Sequence, residues 1–494
     1  MHPHPIDRRK FFIRSSAAAS GVFLGKLGQT AAETTGPSTG PFQAMGTRVG
    51  ETTGTTAIVW TRLTARPSRK NDGVSVPDRT PTGPDTDGVK LTVPVDELEG
   101  ACPGTSGRVR LRYGTQEDLK DATTTAELVV SEEHDFIGEW KLTGLKPGTV
   151  YYYASEIPDG PEGSTVRGKF ETAPSPDAPS NLRFCVMTCQ GYPDRGHPEG
   201  HDIYPSMQAL APQFACLTGD LVYYDSDQPR AVTPSLARYH WERMFSLPRL
   251  VEFTRQVGCY WLKDDHDTLQ NDSWPGEKAG EFTFAEGQKI FRQQAPMDDQ
   301  GLSYRTIRWG RDLQVWFTES RDFRSPNTMP DGPQKTIWGE DQKAWFKRTV
   351  EESDATWKVL VSPTPLVGPD RPGNKSDNHA NASFTHEGDE IRGWLRENAP
   401  DNFFVICGDR HWQYHSVHPA TGVHEFSVGA ASDQHAGGSP GFNKTMHKFH
   451  RVKGGFLSVS IKRDGDRSTI HFELRDIHGK VVYSWKQDRE ATQH

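Results

Sequence analysis

The stretch QFACLTGD, residues 213–220, is a short apolar run that ends on a glycine and an aspartate. Five further stretches share this form: RFCVMTC (183–189), VGCYWLKDDHD (257–267), LQVWFTESR (313–321), WKVLVSPTP (357–365) and NFFVICGDRH (402–411). Short runs rich in Val, Phe, Cys and Trp predict buried strands of an α/β sheet. Ligands bind beyond the carboxyl ends of such strands, so the Cys, Asp, Tyr and His residues placed there indicate a metal centre.

The rest of residues 181–486 predicts how these strands are arranged. Residues 339–352 have helical spacing, and residues 282–294 form a second predicted helix. After residue 425 the pattern changes to consecutive strands and hairpins, with a tight turn at 464–466. Helices that alternate with strands, followed by strands alone, predict two packed sheets with helices outside them. We therefore assign this part of the chain to one α/β domain that carries the chemistry.

Residues 42–174 predict a separate all-β domain in front of it. Gly, Pro and Thr separate short strand-like runs with no helical period: TTAIVWTRL, RVRLRYG, GEWKLTGL and TVYYYASE. Part of the pattern resembles a fibronectin type III or immunoglobulin-like sandwich with a tyrosine near its corner. The residues that carry this resemblance are Leu145, Pro147, Thr149, Tyr151 and Tyr153. Residues 66–103 are predicted to be a long surface loop, and residues 172–180 an extended linker.

The first 32 residues, 1–32, have the composition of an export signal. Arg8-Arg9-Lys10 and two phenylalanines precede an Ala-, Gly- and Ser-rich stretch at 17–27, and small residues at 30–32 offer a cleavage site. The arginine pair resembles a twin-arginine signal, which exports folded proteins. This resemblance implies the twin-arginine export machinery as a partner and a periplasmic or secreted location. The alternative is a disordered basic tail.

Length and charge limit the classes of protein that remain. A chain of 494 residues exceeds what one hydrophobic core organises, and no run reaches the roughly 18 apolar residues of a membrane-spanning helix. The first 32 residues carry five Lys or Arg and one Asp, so the net charge of −8 becomes −12 without them. An acidic protein is not a general nucleic-acid binder, because phosphate-backbone binding needs clustered Lys and Arg.

The six cysteines leave two interpretations open. An exported protein can form disulfides, whereas cysteines within apolar runs are commonly small buried thiols. Cys189 differs from the others because it ends its run beside Gln190 and Gly191.

The polar residues at the strand ends fit a pair of metal ions. Asp220 and Tyr223 are three residues apart, so a single turn of the chain allows both to face one ion, and GDRH at 408–411 offers a carboxylate and an imidazole. Cys189 adds a soft thiolate, and this mixture suits a trivalent ion such as iron better than magnesium. Asp265 and the carboxylate of GDRH offer oxygens to a second, harder ion. Two ions that share Asp220 form the clamp used by phosphatases and nucleases.

Five motifs in chain order resemble one family of enzymes. They are Cys189-Gln190, GDxxY at 219–223, DDHD at 264–267, Glu319-x-Arg321 and GDxH at 408–411. With the leader and the β-domain, they resemble the alkaline phosphatase D (PhoD-type) family of calcineurin-like metallophosphoesterases, which shares GDxxY with purple acid phosphatases. The resemblance implies an α/β fold, a two-sheet αββα sandwich preceded by a small all-β domain.

The resemblance also implies a role for each matching residue. The ligands of Fe3+ would be Cys189, Asp220, Tyr223 and His411. Asp220 would bridge to a second ion, Ca2+ or another divalent metal, whose further ligands are Asp265 and Asp409. His266 would protonate the leaving oxygen. Arg321 would contact the phosphate, unless it pairs structurally with Glu319 or Asp322.

The implied activity is hydrolysis of small phosphate monoesters, diesters or both, by attack of a metal-bound hydroxide at a two-metal centre. An alternative within enzymes is a phospholipase D-like phosphodiesterase that acts on lipid head groups. An alternative from another class is an exported surface-binding protein whose phosphatase domain is inactive.

Several departures from the family pattern stand in or near these motifs. The family usually has Trp-Asp-Asp-His-Glu, whereas here Lys263 precedes the two aspartates and Asp267 replaces the glutamate. Glu319 stands where an aspartate is common. The fifth run ends on Ser-Pro-Thr-Pro instead of a histidine ligand, so the second ion is either weakly held or completed by the loop 375–381. His379 in that loop is predicted to be a surface histidine.

Overall fold

The first part of the described chain is built from short strands. The computed structural model describes residues 40–76, 90–298, 301–371 and 377–490, so the predicted leader at 1–32 lies outside the described residues. The described strands up to residue 171 are β1 (Thr47–Gly50), β2 (Ala57–Arg62), β3 (Gly107–Gly114), β4 (Thr123–Thr124), β5 (Leu128–Val130), β6 (Ile137–Leu142), β7 (Val150–Glu156) and β8 (Val166–Glu171). Short 3-10 turns occur at Val95–Glu97 and Glu132–His134. The four strand-like runs predicted for this part are β2, β3, β6 and β7.

These strands pack around a shared apolar core. β3, β4, β5, β7 and β8 form one antiparallel sheet, against which β1, β2 and β6 pack. The rings of Tyr151 and Phe170 stack with their centres 5.6 Å apart. The Tyr151 hydroxyl accepts a hydrogen bond from the backbone N–H of Lys146 at 2.9 Å. This contact is the tyrosine corner that the sequence predicted.

The six apolar runs are all strands in the structure. The described strands after residue 181 are β9 (Leu182–Met187), β10 (Phe214–Thr218), β11 (Gly258–Leu262), β12 (Lys278–Ala279), β13 (Phe282–Thr283), β14 (Arg305–Trp309), β15 (Leu313–Phe317), β16 (Trp357–Ser362), β17 (Phe403–Cys407), β18 (Gln413–Val417), β19 (His424–Val428), β20 (His447–Arg451), β21 (Phe456–Asp464), β22 (Arg467–Arg475) and β23 (Val481–Glu490). The runs correspond to β9, β10, β11, β15, β16 and β17. The predicted C-terminal hairpins are β21 to β23.

The two predicted helices are also present. The described α-helices are α1 (Ile203–Gln208), α2 (Pro234–Phe245), α3 (Pro248–Gln256), α4 (Phe284–Gln294), α5 (Gly339–Glu351) and α6 (Thr385–Asn398). α4 begins after Thr283, whose hydroxyl accepts the N–H of Glu286 at 3.2 Å while Glu286 Oε2 accepts the N–H of Thr283 at 2.8 Å. Among the described helices, none has the length and apolar character that crossing a membrane requires.

Two large sheets organise the described chain. The strand order is β23-β22-β21-β9-β10-β11-β1-β2-β6 in the first sheet and β14-β15-β16-β17-β19-β18-β20 in the second. β9, β10 and β11 are parallel neighbours, and so are β15, β16, β17 and β19. β1 pairs with β11, so the first sheet continues from the predicted all-β part into the α/β part. The division into domains at 42–174 and 181–486 stays a prediction.

The main core lies between the two sheets, and the helices lie outside them. Phe214 stacks on Trp309 of the second sheet at 4.6 Å between ring centres, and Phe426 stacks on Phe472 of the first at 4.2 Å. The outer face of the first sheet is covered by helix residues that include Trp241, Phe253 and Phe291. That of the second sheet is covered by Phe346 and Ile391. The layers are therefore the predicted αββα sandwich.

The predicted surface loop at 66–103 is partly buried. Residues 77–89 lie outside the described residues, but Leu98, Ala101 and Cys102 behind them are fully buried. Leu98 and Ala101 pack against Tyr239 of α2, whose hydroxyl donates to the carbonyl of Glu99 at 2.7 Å. The expectation of a surface loop is wrong at this end, because its apolar residues cover a helix.

All six cysteines are buried and carry free thiols. Four of them, Cys185, Cys216, Cys259 and Cys407, lie within strands, where a small thiol packs as an apolar side chain. Of the two interpretations left open by the sequence, buried thiols are therefore the one found.

The two sheets approach each other closely where β10 and β17 end. A Cβ atom at Gly408 would lie 2.5 Å from the carbonyl oxygen of Thr218 and 2.7 Å from that of Pro363, so only glycine fits without a shift. The Thr188 hydroxyl donates to the same Thr218 carbonyl at 2.8 Å, and Thr188 forms a β-bridge with Ala430. These contacts bring the ends of β9, β10 and β17 to one place.

We predict that Gly408→Ala destabilises the protein by about 1–3 kcal/mol, because the added methyl group must push two carbonyl groups apart. Gly393→Ala is the matched control, since Gly393 lies inside α6 with nothing within 4 Å of its Cβ position. Alanine there stabilises the helix by about 0.5–1 kcal/mol. Urea unfolding measures both changes. An unfolding midpoint of Gly408→Ala at or above that of the wild type contradicts the close approach.

Candidate metal centre

Three of the predicted ligands directly follow strand ends and share one backbone conformation. Cys189, Asp220 and Asp409 come after β9, β10 and β17, with φ angles of 53°, 55° and 60°. This left-handed region is uncommon for residues other than glycine, although aspartate tolerates it better than most. Each such residue costs on the order of 1–3 kcal/mol and persists only where the surroundings enforce it. Strain repeated at three neighbouring strand ends indicates a functional site.

These turns bring four predicted ligands into contact. The Cys189 thiol donates to Asp220 Oδ2 at 3.2 Å, and the Tyr223 hydroxyl donates to the same oxygen at 3.3 Å. The Tyr223 hydroxyl also lies 3.5 Å from His411 Nε2. Cys189, Asp220 and Tyr223 are all buried. A thiol, a carboxylate, a phenol and an imidazole thus meet at one point.

Asp220 is shared by three groups of possible metal ligands. The groups whose ligand atoms lie within 4.8 Å of one another are Cys189–Asp220–His411, Asp220–Asp265–His266 and Asp220–Asp264–Asp409. The structure therefore gathers the predicted ligands around the residue predicted to be the bridge. It also adds Asp264, whose role was open from the sequence.

The acidic groups of this cluster are buried with too little positive charge around them. Burial and the charges of Asp265 and Asp264 raise the pKa of Asp220 to about 8, against the lowering effect of His266. Burial also raises the pKa of Asp264, despite its contact with Arg321. Among the described residues, Asp220 Oδ1 and Asp264 Oδ2 have no hydrogen-bond partner. A metal ion fits here, because it supplies a partner to both oxygens and the missing positive charge.

Two of the other predicted ligands hold protons that a metal must displace. Burial and Asp220 raise the pKa of the Cys189 thiol and of the Tyr223 hydroxyl well above their usual values. Burial and the neighbouring His435 hold the pKa of His411 well below its usual value, so its imidazole is neutral and offers a lone pair. The donor set of thiol, phenol, carboxyl and imidazole fits a transition metal.

His266 lies beside the cluster and is held by a carboxylate that the sequence did not single out. Its Nδ1 is 2.7 Å from Asp225 Oδ1, and Asp225 Oδ2 accepts a backbone N–H at 2.8 Å. Burial disfavours the charged imidazole, but Asp225, Asp265 and Asp220 outweigh burial and raise the pKa of His266 well above its usual value. The ring lies 4.4 Å from that of Tyr223. His266 is thus a protonated group next to the predicted ligands.

Arg321 contacts the acidic cluster directly. Its Nε donates to Asp264 Oδ1 at 2.5 Å, and its Nη2 lies 3.6 Å from Asp265 Oδ1. Its side chain is fully buried. Arg321 therefore offsets part of the negative charge that Asp264 and Asp265 bring to the site.

Two departures from the family pattern form a single ion pair. Lys263 Nζ lies 2.9 Å from Glu319 Oε1 and 2.6 Å from Asp322 Oδ1. The alternative left open by the sequence, a structural pairing of the Arg321 guanidinium with Glu319 or Asp322, is not found, because Lys263 contacts both carboxylates and Arg321 pairs with Asp264 and Asp265. Glu319 Oε1 does accept the backbone N–H of Arg321 at 2.7 Å, so this ion pair fixes the segment that carries Arg321.

The Asp267 carboxylate forms hydrogen bonds to the turns that follow β10 and β11. Its Oδ2 accepts the backbone N–H of Leu221 at 3.0 Å, and its Oδ1 accepts that of Asp264 at 2.6 Å. Leu221 follows Asp220, so one carboxylate holds the turns after β10 and β11 in register. The replacement of the family's glutamate by Asp267 therefore leaves a residue that positions two members of the cluster.

Among the described residues, no residue at the end of β16 belongs to any of the three ligand groups. The loop behind it instead holds Arg410, whose guanidinium lies 2.6 Å from Asp370 and 3.3 Å from Asp377. His379 is buried, and its Nε2 lies 2.9 Å from Glu387 Oε2. Its predicted surface position is wrong, because the loop packs on α6 and the histidine pairs with a helix carboxylate. The predicted loop residues 375 and 376 lie outside the described residues.

His435 belongs to the site but was not among the predicted residues. Its Nε2 lies 2.8 Å from the Tyr223 hydroxyl and its Nδ1 lies 2.6 Å from Asp194 Oδ2, so the pair orients the phenol. Its ring centre is 4.3 Å from that of His411. The sequence does contain a signal, because VHEFSVGAASDQH (423–435) is a seventh apolar run with a polar end. Its strand, β19, is parallel to β17.

A two-sheet αββα sandwich with a carboxylate-rich metal site at its strand ends defines a metal-dependent phosphoesterase. A family model described as PhoD-like phosphatase matches residues 184–458, and a model of the PhoD-like phosphatase N-terminal domain matches residues 29–174. The chain belongs to the PhoD-like phosphatase family and is a phosphoric ester hydrolase.

Solved structures share the fold of the chain at low sequence identity. A structure described as PhoD has a TM-score of 0.68 and 15% identity, over 92% of this chain and 91% of its own. Purple acid phosphatase PPD1 from yellow lupin (Lupinus luteus) seeds has a TM-score of 0.59 and 14% identity, over 90% of this chain and 74% of its own. None of the curated proteins compared with the chain matches it.

We predict that ionisation of Asp220 removes stability from the protein without bound metal as pH rises. The pKa of Asp220 is about 8 in the folded chain against 3.8 for an ordinary Asp, so the folded state binds the extra proton between these values. The contribution of Asp220 to the free energy of unfolding therefore falls across this window, by at most about 1.4 kcal/mol per pH unit. Chemical denaturation of metal-free protein between pH 5 and pH 8 measures the slope.

Asp220→Asn should remove this contribution and shift the measured slope upward, because the amide cannot ionise. Asp466→Asn is the control, since Asp466 is an exposed carboxylate in the turn between β21 and β22. Equal slopes for Asp220→Asn and the wild type would show that Asp220 does not carry the effect.

Proposed function

We propose that the protein is an exported phosphoesterase that hydrolyses phosphate monoesters, diesters or both at a centre of two metal ions. The observation that carries this proposal is the membership of Asp220 in all three ligand groups. A carboxylate that faces ligand atoms of two sites is what a bridge between two ions requires. The arginine pair Arg8-Arg9 supports export by the twin-arginine machinery, to the periplasm or out of the cell.

In this proposal the two ions differ in character. The ligands of Fe3+ are Cys189, Asp220, Tyr223 and His411, a set whose thiolate and phenolate favour a transition metal. Ca2+ or another divalent ion takes the oxygens of Asp220, Asp265 and Asp409, with Asp264 as a further oxygen donor within reach. When bound, the ions supply positive charge to the phosphoryl oxygens and activate water.

The side chains around the ions have separate tasks. His266 donates a proton to the leaving oxygen, a role supported by its raised pKa and its contact with Asp225. Arg321 contacts a phosphoryl oxygen through the nitrogens that Asp264 leaves free. His435 keeps the Tyr223 hydroxyl directed at the first site.

Hydrolysis of two model esters tests the activity. We predict that metal-loaded protein hydrolyses p-nitrophenyl phosphate, bis-p-nitrophenyl phosphate or both, and that Asp220→Asn lowers kcat/KM by at least about 100-fold because the shared ligand is lost. The ratio of the two rates separates a monoesterase from a diesterase. Release of choline from phosphatidylcholine without hydrolysis of either ester would favour the phospholipase D-like alternative. No hydrolysis by metal-replete protein would favour the inactive surface-binding protein.

Metal analysis and visible absorption test the identity of the first ion. We predict about one iron per chain and a violet colour from charge transfer between the Tyr223 phenolate and Fe3+. Tyr223→Phe removes the colour, whereas Tyr224→Phe retains it, since Tyr224 is the adjacent buried tyrosine and donates to no predicted ligand. Colour that survives Tyr223→Phe would remove Tyr223 from the ligand set.

A further inference from the structure

Two arginines near the acidic cluster carry guanidinium nitrogens that make no hydrogen bond in the described part of the chain. Nη1 and Nη2 of Arg321, and Nε and Nη1 of Arg324, make no hydrogen bond among the described residues. The exposed fractions of the two residues are 0% and 4%, so bulk solvent does not reach these nitrogens. Buried polar groups nearly always have a hydrogen-bond partner, and a buried charge without one is strongly destabilising. Such donors indicate a ligand that the protein itself does not supply.

A series of short contacts places the two guanidinium groups at the same loop. Arg321 Nη2 lies 3.6 Å from Asp265 Oδ1, and Asp265 Oδ2 accepts the backbone N–H of Asp272 at 2.5 Å. The Asp272 carbonyl accepts a hydrogen bond from Asn327 Nδ2 at 2.9 Å, and Asn327 Oδ1 accepts one from Arg324 Nη2 at 2.6 Å. Both arginines therefore border the loop after β11 that carries the acidic cluster.

The two arginines differ in how their charge is balanced. Arg321 pairs with Asp264 and Asp265, whereas no carboxylate pairs with Arg324 among the described residues. The guanidinium of Arg324 packs over the ring of Phe384, with 4.9 Å between the guanidinium carbon and the ring centre. Burial and the charge of Arg321 lower the pKa of Arg324 to about 10, against the raising effect of the more distant carboxylates of Asp377, Asp264 and Asp272. An anion with several oxygens would relieve both the repulsion and the missing hydrogen bonds.

We propose that Arg321 and Arg324 form a binding subsite for a phosphate oxyanion beside the metal centre. A planar guanidinium can donate two parallel hydrogen bonds to two oxygens of a phosphate. A lysine or an amide side chain cannot form this pair. The inference rests on the proposed function only for the identity of the anion as phosphate. The occupant is either the phosphoryl group that is hydrolysed or a second phosphate on the same substrate, since both present the same oxygens.

Binding of inorganic phosphate tests the subsite in the full metal-loaded chain. We expect Arg324→Met to raise the dissociation constant of phosphate, measured by calorimetry, at least tenfold with the metal content unchanged. Arg324→Lys should recover only part of this loss, because it restores the charge and not the pair of parallel hydrogen bonds. Arg392→Met is the control: Arg392 is also 4% exposed, but its Nη1 donates to the carbonyls of Leu366 and His379 and its Nη2 to Asp389, so only its Nε makes no hydrogen bond to a described residue. It should leave phosphate binding within twofold of the wild type.

A phosphate dissociation constant of Arg324→Met within twofold of the wild type overturns the proposal. If this variant does not fold, Asn327→Ala replaces it, because it removes the side chain that holds Arg324 Nη2. An unchanged dissociation constant in that variant overturns the proposal equally.

The same variants show which phosphate group occupies the subsite, and they test the subsite separately from the proposed function. A KM for p-nitrophenyl phosphate that rises together with the phosphate dissociation constant identifies the reacting phosphoryl group as the occupant. An unchanged KM identifies a second phosphate. If the wild type binds phosphate through Arg324 but hydrolyses no ester, the subsite stands and the proposed function fails. If it hydrolyses esters and Arg324→Met binds phosphate normally, the function stands and the subsite fails.

Discussion

The burial of several carboxylates at one point is the constraint on which the rest of the structure depends. Asp220 shares its surroundings with Asp264, Asp265 and Asp409, and like charges at such distances repel strongly in a medium of low dielectric constant. The Thr188 hydroxyl bonds the Thr218 carbonyl, and glycine at position 408 allows the strand ends to lie close together, so the packing opposes a separation that would relieve this repulsion. The chain therefore relieves part of it with His266 and Arg321 and leaves oxygens of Asp220 and Asp264 for a cation.

The strands and the ligand positions are predictable because the information is local. An apolar run of five or six residues fixes a buried strand, and the polar residues behind it must lie at the sheet edge. His435 and Asp225 are not predictable in this way. Which loop lies next to β17 depends on the order β17-β19-β18, and which carboxylate reaches His266 depends on how the segment after Tyr223 folds back. Sheet order and loop contacts are properties of the packed chain and leave no period in the sequence.

The departures from the family pattern also depend on contacts that the sequence alone does not reveal. Read along the chain, Lys263 and Glu319 are two separate exceptions, 56 residues apart. In the structure they are one buried ion pair. The two departures therefore accompany each other: Lys263 needs a carboxylate within reach, and the side chain of glutamate is longer than that of aspartate. Asp267 likewise keeps its task, because its carboxylate still accepts two backbone N–H groups from the turns that it joins.

Metal binding and protons compete for the same atoms in this site. Cys189, Tyr223 and Asp220 all have raised pKa values in the metal-free chain, chiefly because of burial, so each must release a proton before it can serve as an anionic ligand. His411 is already neutral and releases none. Raising the pH therefore deprotonates these groups, which makes them better metal ligands and increases the repulsion between them. Both effects favour the metal-loaded state at high pH.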